Sequence, residues 1–153
     1  MNIFALDTDP QVAASYHCDK HVVKMILESS QMLCTILHDK GIEAPYKPTH
    51  RNHPCTKWAA ESRENFVWLL QLGFWLCVEY RSRYGKNHKS EEVIRFCHKH
   101  IDLIPESPFT PFAQAMPDEF RNEDPVTAYR NYYRIAKAPI LTYKFTPTPT
   151  FLQ

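Results

Sequence analysis

The sequence predicts a mainly α-helical protein, a single compact domain of about four helices with a short N-terminal strand. Three observations predict it. Long stretches repeat apolar residues at the helical period, and Pro10, Pro54 and Pro125 stand where a helix opens, since proline loses nothing in a first turn. The third is composition: 44% hydrophobic and 13% aromatic residues in 153 are ample for one core.

The elements follow in order. Asn2–Leu6 alternates and is apolar, which predicts the opening strand. Asp9 and Pro10 then supply an N-cap and first-turn proline for a helix reaching Gly41. A proline-bearing loop spans Gly41–His53. Pro54 opens a second long helix, apolar from Trp58 to Tyr80, which Gly85 ends. Ser90, with Glu91 and Glu92 in the first turn, starts a third helix to about His100. Proline-rich Ile104–Phe120 reads as ordered coil, and Asp124-Pro125 starts a fourth helix through Lys137. Residues 1–145 form the domain; Thr146–Gln153 is expected to be an extended or frayed tail.

Several function classes are disfavoured. The three glycines allow no phosphate-cradling loop or dinucleotide fingerprint. No G-x-S-x-G elbow, H-E-x-x-H motif or paired C-x-x-C occurs. No apolar run is long enough to span a membrane, and the N-terminus lacks the order of a signal peptide, so a cytoplasmic protein without membrane partners is expected. Five scattered cysteines fit buried, reduced thiols; Cys18, among His and Lys, has the setting of a reactive one.

The net charge of +1 hides an asymmetry. From Lys20 to Ile101, thirteen Lys or Arg face eight Asp or Glu, with seven of the eight histidines in the same stretch. Such a surface suits a phosphate-bearing partner, or is simply a solvated mixed-charge face.

Three polar constellations carry the candidate chemistry. On the first helix His17, His21, Lys24, Glu28 and Gln31 fall within one arc, with Lys20 at its edge. That stripe is either a solvent face with ordinary i,i+4 pairs or a lined cleft. The second is Thr49–Trp58, where His50, Arg51, His53, Lys57 and Trp58 crowd a helix entry whose free N–H groups favour an anion. Alternatively Asn52 or His53 merely caps the helix while Trp58 packs inward. The third, Glu79–Lys89, interleaves Tyr80, Arg83, Lys86 and His88 around a helix end, a surface for bases and phosphates or a set of cations complementing the dipole.

The order of these segments also resembles a known family. The segments are Asn2-Ile3-Phe4, Cys18-Asp19-Lys20-His21-Val22-Val23-Lys24-Met25, His53-Pro54-Cys55-Thr56-Lys57-Trp58, Glu79 through His88, Ala115-Met116-Pro117-Asp118-Glu119-Phe120 and Ala128-Tyr129-Arg130-Asn131-Tyr132-Tyr133. Over nearly the whole chain they resemble a group of small phage-encoded proteins. More distantly, over about two thirds, the layout is similar to the pyrimidine-dimer DNA glycosylases with abasic-site lyase activity, of the phage endonuclease V type. That resemblance implies an endonuclease-V-like helical architecture, DNA or a nucleotide as partner and, if phage-encoded, a host-cell cytoplasmic location. In that family the free amine of the processed N-terminus attacks C1′ of the damaged nucleotide, and a glutamate flanked by cations on the first helix stabilises the sugar cation. Lys20 and Lys24 match the flanking cations, His21 falls at the glutamate's place, and Met1 precedes the bulky Asn2, which disfavours its removal.

The leading expectation is an enzyme acting on DNA or a nucleotide, with glycosidic-bond cleavage first among reactions and no cofactor. His21 serves as general acid/base with Lys20, Lys24 and Glu28 as catalytic neighbours. His17, Gln31, Arg51, His53, Lys57, Trp58, Asn65, Tyr80, Arg83, Lys86 and His88 bind substrate or phosphate. One alternative is a metal-dependent phosphoester hydrolase, its divalent ion held by His17, His21, His50 and His53. Another is a non-catalytic phage protein that binds nucleic acid or inhibits a host enzyme.

Overall fold

The computed structural model describes all of residues 1–153. The protein is helical, with α1 Pro10–Tyr16, α2 Asp19–Asp39, α3 Pro54–Glu61, α4 Arg63–Tyr84, α5 Glu91–His98 and α6 Pro125–Ala136, plus four single 3₁₀ turns. No helix is long and apolar enough to cross a membrane. Central α2 packs on α3, α4 and α5, while α1 packs on α4. Gly73 lets α4 and α5 touch: a Cβ there would stand 2.7 Å from Ile94 Cδ1.

Six helices replace the expected four because both long helices are broken by distant contacts. The first breaks at His17 and Cys18, whose ψ angles of 137° and 163° are extended. There the Arg83 guanidinium donates to the carbonyls of Ser15 and His17, and the Cys18 N–H donates to the Tyr133 hydroxyl. The second breaks at Ser62, whose side chain accepts from Asn65 N–H to cap α4. Asn65 Nδ2 in turn donates to the Trp58 carbonyl and Thr110 Oγ1. Neither break contains proline or glycine. The other boundaries follow local chemistry, with Gly85 at φ 70° closing α4 and the Asp124 carboxylate capping α6.

The N-terminal segment is buried but is not a strand. Ile3, Phe4, Ala5 and Leu6 are at most 3% exposed. No neighbouring strand pairs with them, and Phe4 adopts φ 36°, a left-handed conformation that interrupts any extended run. Asn2 anchors the segment instead: its Nδ2 donates to Ala115 O, and its Oδ1 accepts from Ile3 N–H and the Cys55 thiol. At the other end, Phe151 in the turn Thr150–Leu152 packs on Tyr16, with Arg130 over its ring. All five cysteines are buried and unbridged, Cys18 among them, which removes the exposure a reactive thiol needs.

Candidate active site

The α2 stripe turns inward. His21 and Glu28 are 4% and 7% exposed and border a cavity of about 160 Å³. An engineered cavity of about 150 Å³ holds benzene, so this one has room for a single sugar ring. Met1, Asn2 and Phe4 form one wall, and Tyr132 and Lys137, from α6 and just beyond it, close another.

The centre of the site is an ion pair. The Met1 amine stands 3.1 Å from Glu28 Oε1, both groups nearly buried. Glu28 Oε2 is 3.8 Å from Lys24 Nζ, accepts no hydrogen bond and is shielded from solvent. A buried carboxylate oxygen without a hydrogen-bond donor is costly, and this one belongs to a side chain that borders the cavity. The carboxylate beside the amine is therefore Glu28, two turns beyond the position of His21 to which the resemblance assigned it. His53 caps α3 through Nδ1, accepting from Cys55 N–H, and burial and the Met1 amine lower its pKa.

His21 is held neutral. Its ring stacks on Phe4 at 4.5 Å, and its Nδ1 lies 2.9 Å from the Tyr133 hydroxyl. Burial, then His17, Lys137 and Lys24, push its pKa down to about 3. A general acid or base poised near neutrality is not what this environment makes. His17 is buried outright: its Nδ1 bonds Ala13 O, and burial lowers its pKa to about 4.

Beside the cavity runs a groove of about 780 Å³. Lys24 borders both spaces, joined in the groove by Gln31, Lys47, Thr49, His88 and Lys89, with no acidic residue among the lining groups. The His88 Nε2 contacts Val23 O, and its ring packs on Tyr80, itself half-buried against Tyr84.

Other sequence-derived candidates lie elsewhere. Arg83 is completely buried, paired with Asp19 and Glu79, so it presents nothing to a phosphate. Trp58 donates its indole N–H to Thr110 O inside the core and offers no stacking face. Asn65 is spent on the Ser62 break, and His17 reaches no cavity surface. Arg51 pairs with Asp39 on the surface, while Lys20, Lys57 and Lys86 are exposed and line neither cavity nor groove. His17, His21, His50 and His53 do not converge, and no group of three or more metal-capable side chains exists. That arrangement leaves the phosphoester hydrolase without its ligand set.

The residues missed by periodicity are the Met1 amine, Phe4, Tyr132, Tyr133 and Lys137. A main-chain amine has no side-chain pattern, and the others reach α2 from distant segments. Only the Tyr132-Tyr133 pair within the quoted α6 segment hinted at the second wall.

Comparison with known proteins places part of this architecture. The family model described as pyrimidine dimer DNA glycosylase matches residues 1–92, which carry the amine, α2 and the α4 exit. The envelope glycoprotein gp160 of Maedi visna virus, in strains 1514 and KV1772, is 31% identical over 91 residues, covering 53% of this chain. The chain spans only 9% of that glycoprotein's length. No solved structure matches.

Proposed function

The chain belongs to the pyrimidine dimer DNA glycosylase family, and we propose that it releases a damaged pyrimidine from DNA using the Met1 amine as nucleophile and Glu28 as its proton partner. The observation that carries this reading is the buried amine–carboxylate pair, with one carboxylate oxygen accepting no hydrogen bond, bordering a sugar-sized cavity.

The chemistry follows from the pair. Glu28, 3.1 Å away, accepts the proton the ammonium must shed. The freed lone pair bonds to C1′ as the C1′–N bond breaks and its electrons leave with the base. Glu28 passes that first proton to the departing base and is a carboxylate again; it then takes the nitrogen's next proton and returns it to O4′ as the C1′–O4′ bond opens, which leaves a protonated imine joining Met1 to the sugar. Throughout, the carboxylate faces the positive charge that develops at C1′, the preorganised stabilisation that lowers such barriers most. The acid-free groove, with Lys24, Lys47 and Lys89, gives the flanking phosphates a path, and Tyr80 packs on its His88.

An imine can be trapped. Incubation with a duplex carrying one cyclobutane thymine dimer and cyanoborohydride is expected to yield a covalent complex whose DNA maps to the Met1 nitrogen. A chain with one extra residue before Met1 loses both base release and trapping. An adduct on Lys24 or Lys137 reassigns the nucleophile, and salt-sensitive binding without base release returns the protein to a non-catalytic role.

A further inference from the structure

The Tyr133 hydroxyl holds two partners on α2's first turn. It accepts the Cys18 N–H at 2.8 Å and lies 2.9 Å from His21 Nδ1. A backbone N–H can only give, so the hydroxyl that accepts it keeps its own proton to donate, and His21 Nδ1 at 2.9 Å is in place to accept it. The neighbouring Tyr143 hydroxyl spends its own proton on Tyr16 O, and among the side chains around the Tyr133 hydroxyl the His21 ring is the one that meets hydrogen-bond geometry. An Nδ1 that accepts carries no hydrogen. In a neutral imidazole the hydrogen then sits on Nε2, which bonds nothing within the protein, on a ring that borders the cavity.

We propose that Tyr133 is a positioning residue that fixes His21 as its Nε2–H tautomer, so that a neutral N–H donor faces the sugar ring oxygen of the nucleotide held at the Met1 amine. The role for the donor rests on the glycosylase reading above; the tautomer itself does not. O4′ gains negative charge as the C1′–O4′ bond opens, and a donor fixed beforehand stabilises it without reorganisation. His21 transfers no proton in this scheme.

Its surroundings keep the ring neutral and still. Phe4 stacks on one face from the N-terminal segment, His17 stands 6.4 Å away at the α1–α2 break, and Tyr133 approaches from α6. The charged groups around the cavity are the Met1 amine and Glu28, Lys24 on α2, and Lys137 beyond α6, whose ammonium also lies 5.8 Å from the Phe4 ring centre. Two lysines, a neighbouring histidine and burial all oppose a second proton on His21. A neutral donor therefore persists where a titrating imidazole would switch.

Nitrogen-15 NMR of histidine-labelled protein reads the tautomer without any DNA. His21 is expected to show a protonated Nε2 and a bare Nδ1 from pH 8 to pH 5, with Tyr133→Phe shifting both nitrogens toward tautomer-averaged values. In base-release assays Tyr133→Phe lowers kcat several-fold with KM little changed. His21→Leu lowers kcat by about 10²-fold, the scale of one preorganised donor, and His21→Gln, which keeps an amide N–H near Nε2, recovers most of that loss. A protonated Nδ1 in the wild-type protein, titration of His21 near neutral pH, or unchanged nitrogen shifts in folded Tyr133→Phe overturns the tautomer lock. If the lock is present but His21→Leu keeps full kcat, the donor role falls while the glycosylase reading stands. If base release itself is absent, that reading fails with the tautomer intact.

Discussion

Two buried ion clusters sit at opposite ends of the same helix face problem, and they solve it differently. At the α1–α2 junction Arg83 gives its hydrogens to Ser15 O, His17 O, Asp19 and Glu79, and Asp19 Oδ2 also accepts the Lys144 N–H. Further along α2, Glu28 holds the Met1 amine through one oxygen, while the other, 3.8 Å from the exposed Lys24 ammonium, accepts no hydrogen bond. The first cluster is saturated, and a saturated cluster has no valence left for a ligand. The second keeps an unsatisfied acceptor beside a cavity, which costs stability unless something arrives to use it. On the proposed reading, saturation separates a charge that holds the fold from a charge that serves the reaction.

The sharpest way to break this comparison is to neutralise the unsaturated cluster. Glu28→Gln keeps the size of the side chain and removes both the proton acceptor and the charge facing C1′. Base release is expected to fall by about 10³-fold or more, as when a central preorganised group is lost. Because the buried Met1 amine loses its counter-charge, stability is expected to fall as well, and turnover is compared per folded molecule. A variant that keeps wild-type turnover would place the chemistry elsewhere.

The saturated cluster should respond in the opposite sense. Arg83→Met leaves Asp19, Glu79 and two carbonyls without their donor, and breaking a buried ion pair in this way costs about 3–5 kcal/mol. Denaturant unfolding is the measurement, and the folded fraction should retain turnover within a few-fold of wild type. Loss of DNA affinity with stability unchanged would reinstate Arg83 as a phosphate contact.

The same contrast explains what could be read from sequence. Local signals sufficed where local chemistry decides: Glu91–His98 and Pro125–Ala136 lie close to their expected spans, and Gly85 ends α4 as anticipated. The stripe did face a cleft, and His53 and Trp58 took the capping and inward-packing alternative. The helix breaks at His17–Cys18 and Ser62 were invisible because Arg83, Tyr133 and Thr110 impose them from far along the chain. Arg83 looked like a phosphate ligand for the same reason: residue type is local, whereas saturation is a property of what surrounds it. Glu28 was within the stripe, yet its partner is a main-chain amine on which helical periodicity is silent. The aromatic wall of Tyr132 and Tyr133 reaches α2 across more than a hundred residues, a distance no spacing rule spans.

Between the two clusters lies a neutral layer, His17 and His21, and its acid response is the most graded of the expected effects. Burial lowers their pKa values from 6.5 to about 4 and about 3. As pH falls below 6.5 the unfolded chain takes up protons that the native protein refuses, so the unfolded state binds more protons and stability drops with falling pH. Each histidine contributes up to about 1.4 kcal/mol per pH unit, between its unfolded pKa and its folded one. His53 and His88, both lowered by burial, act in the same direction. Urea unfolding at pH 7, 6 and 5 should therefore show progressive destabilisation, shallower in His17→Gln, a substitution outside the cavity. Stability that stays flat or rises over that interval would mean that these imidazoles are protonated in the native state. The cluster around Glu28 would then face a positively charged neighbour rather than a neutral donor.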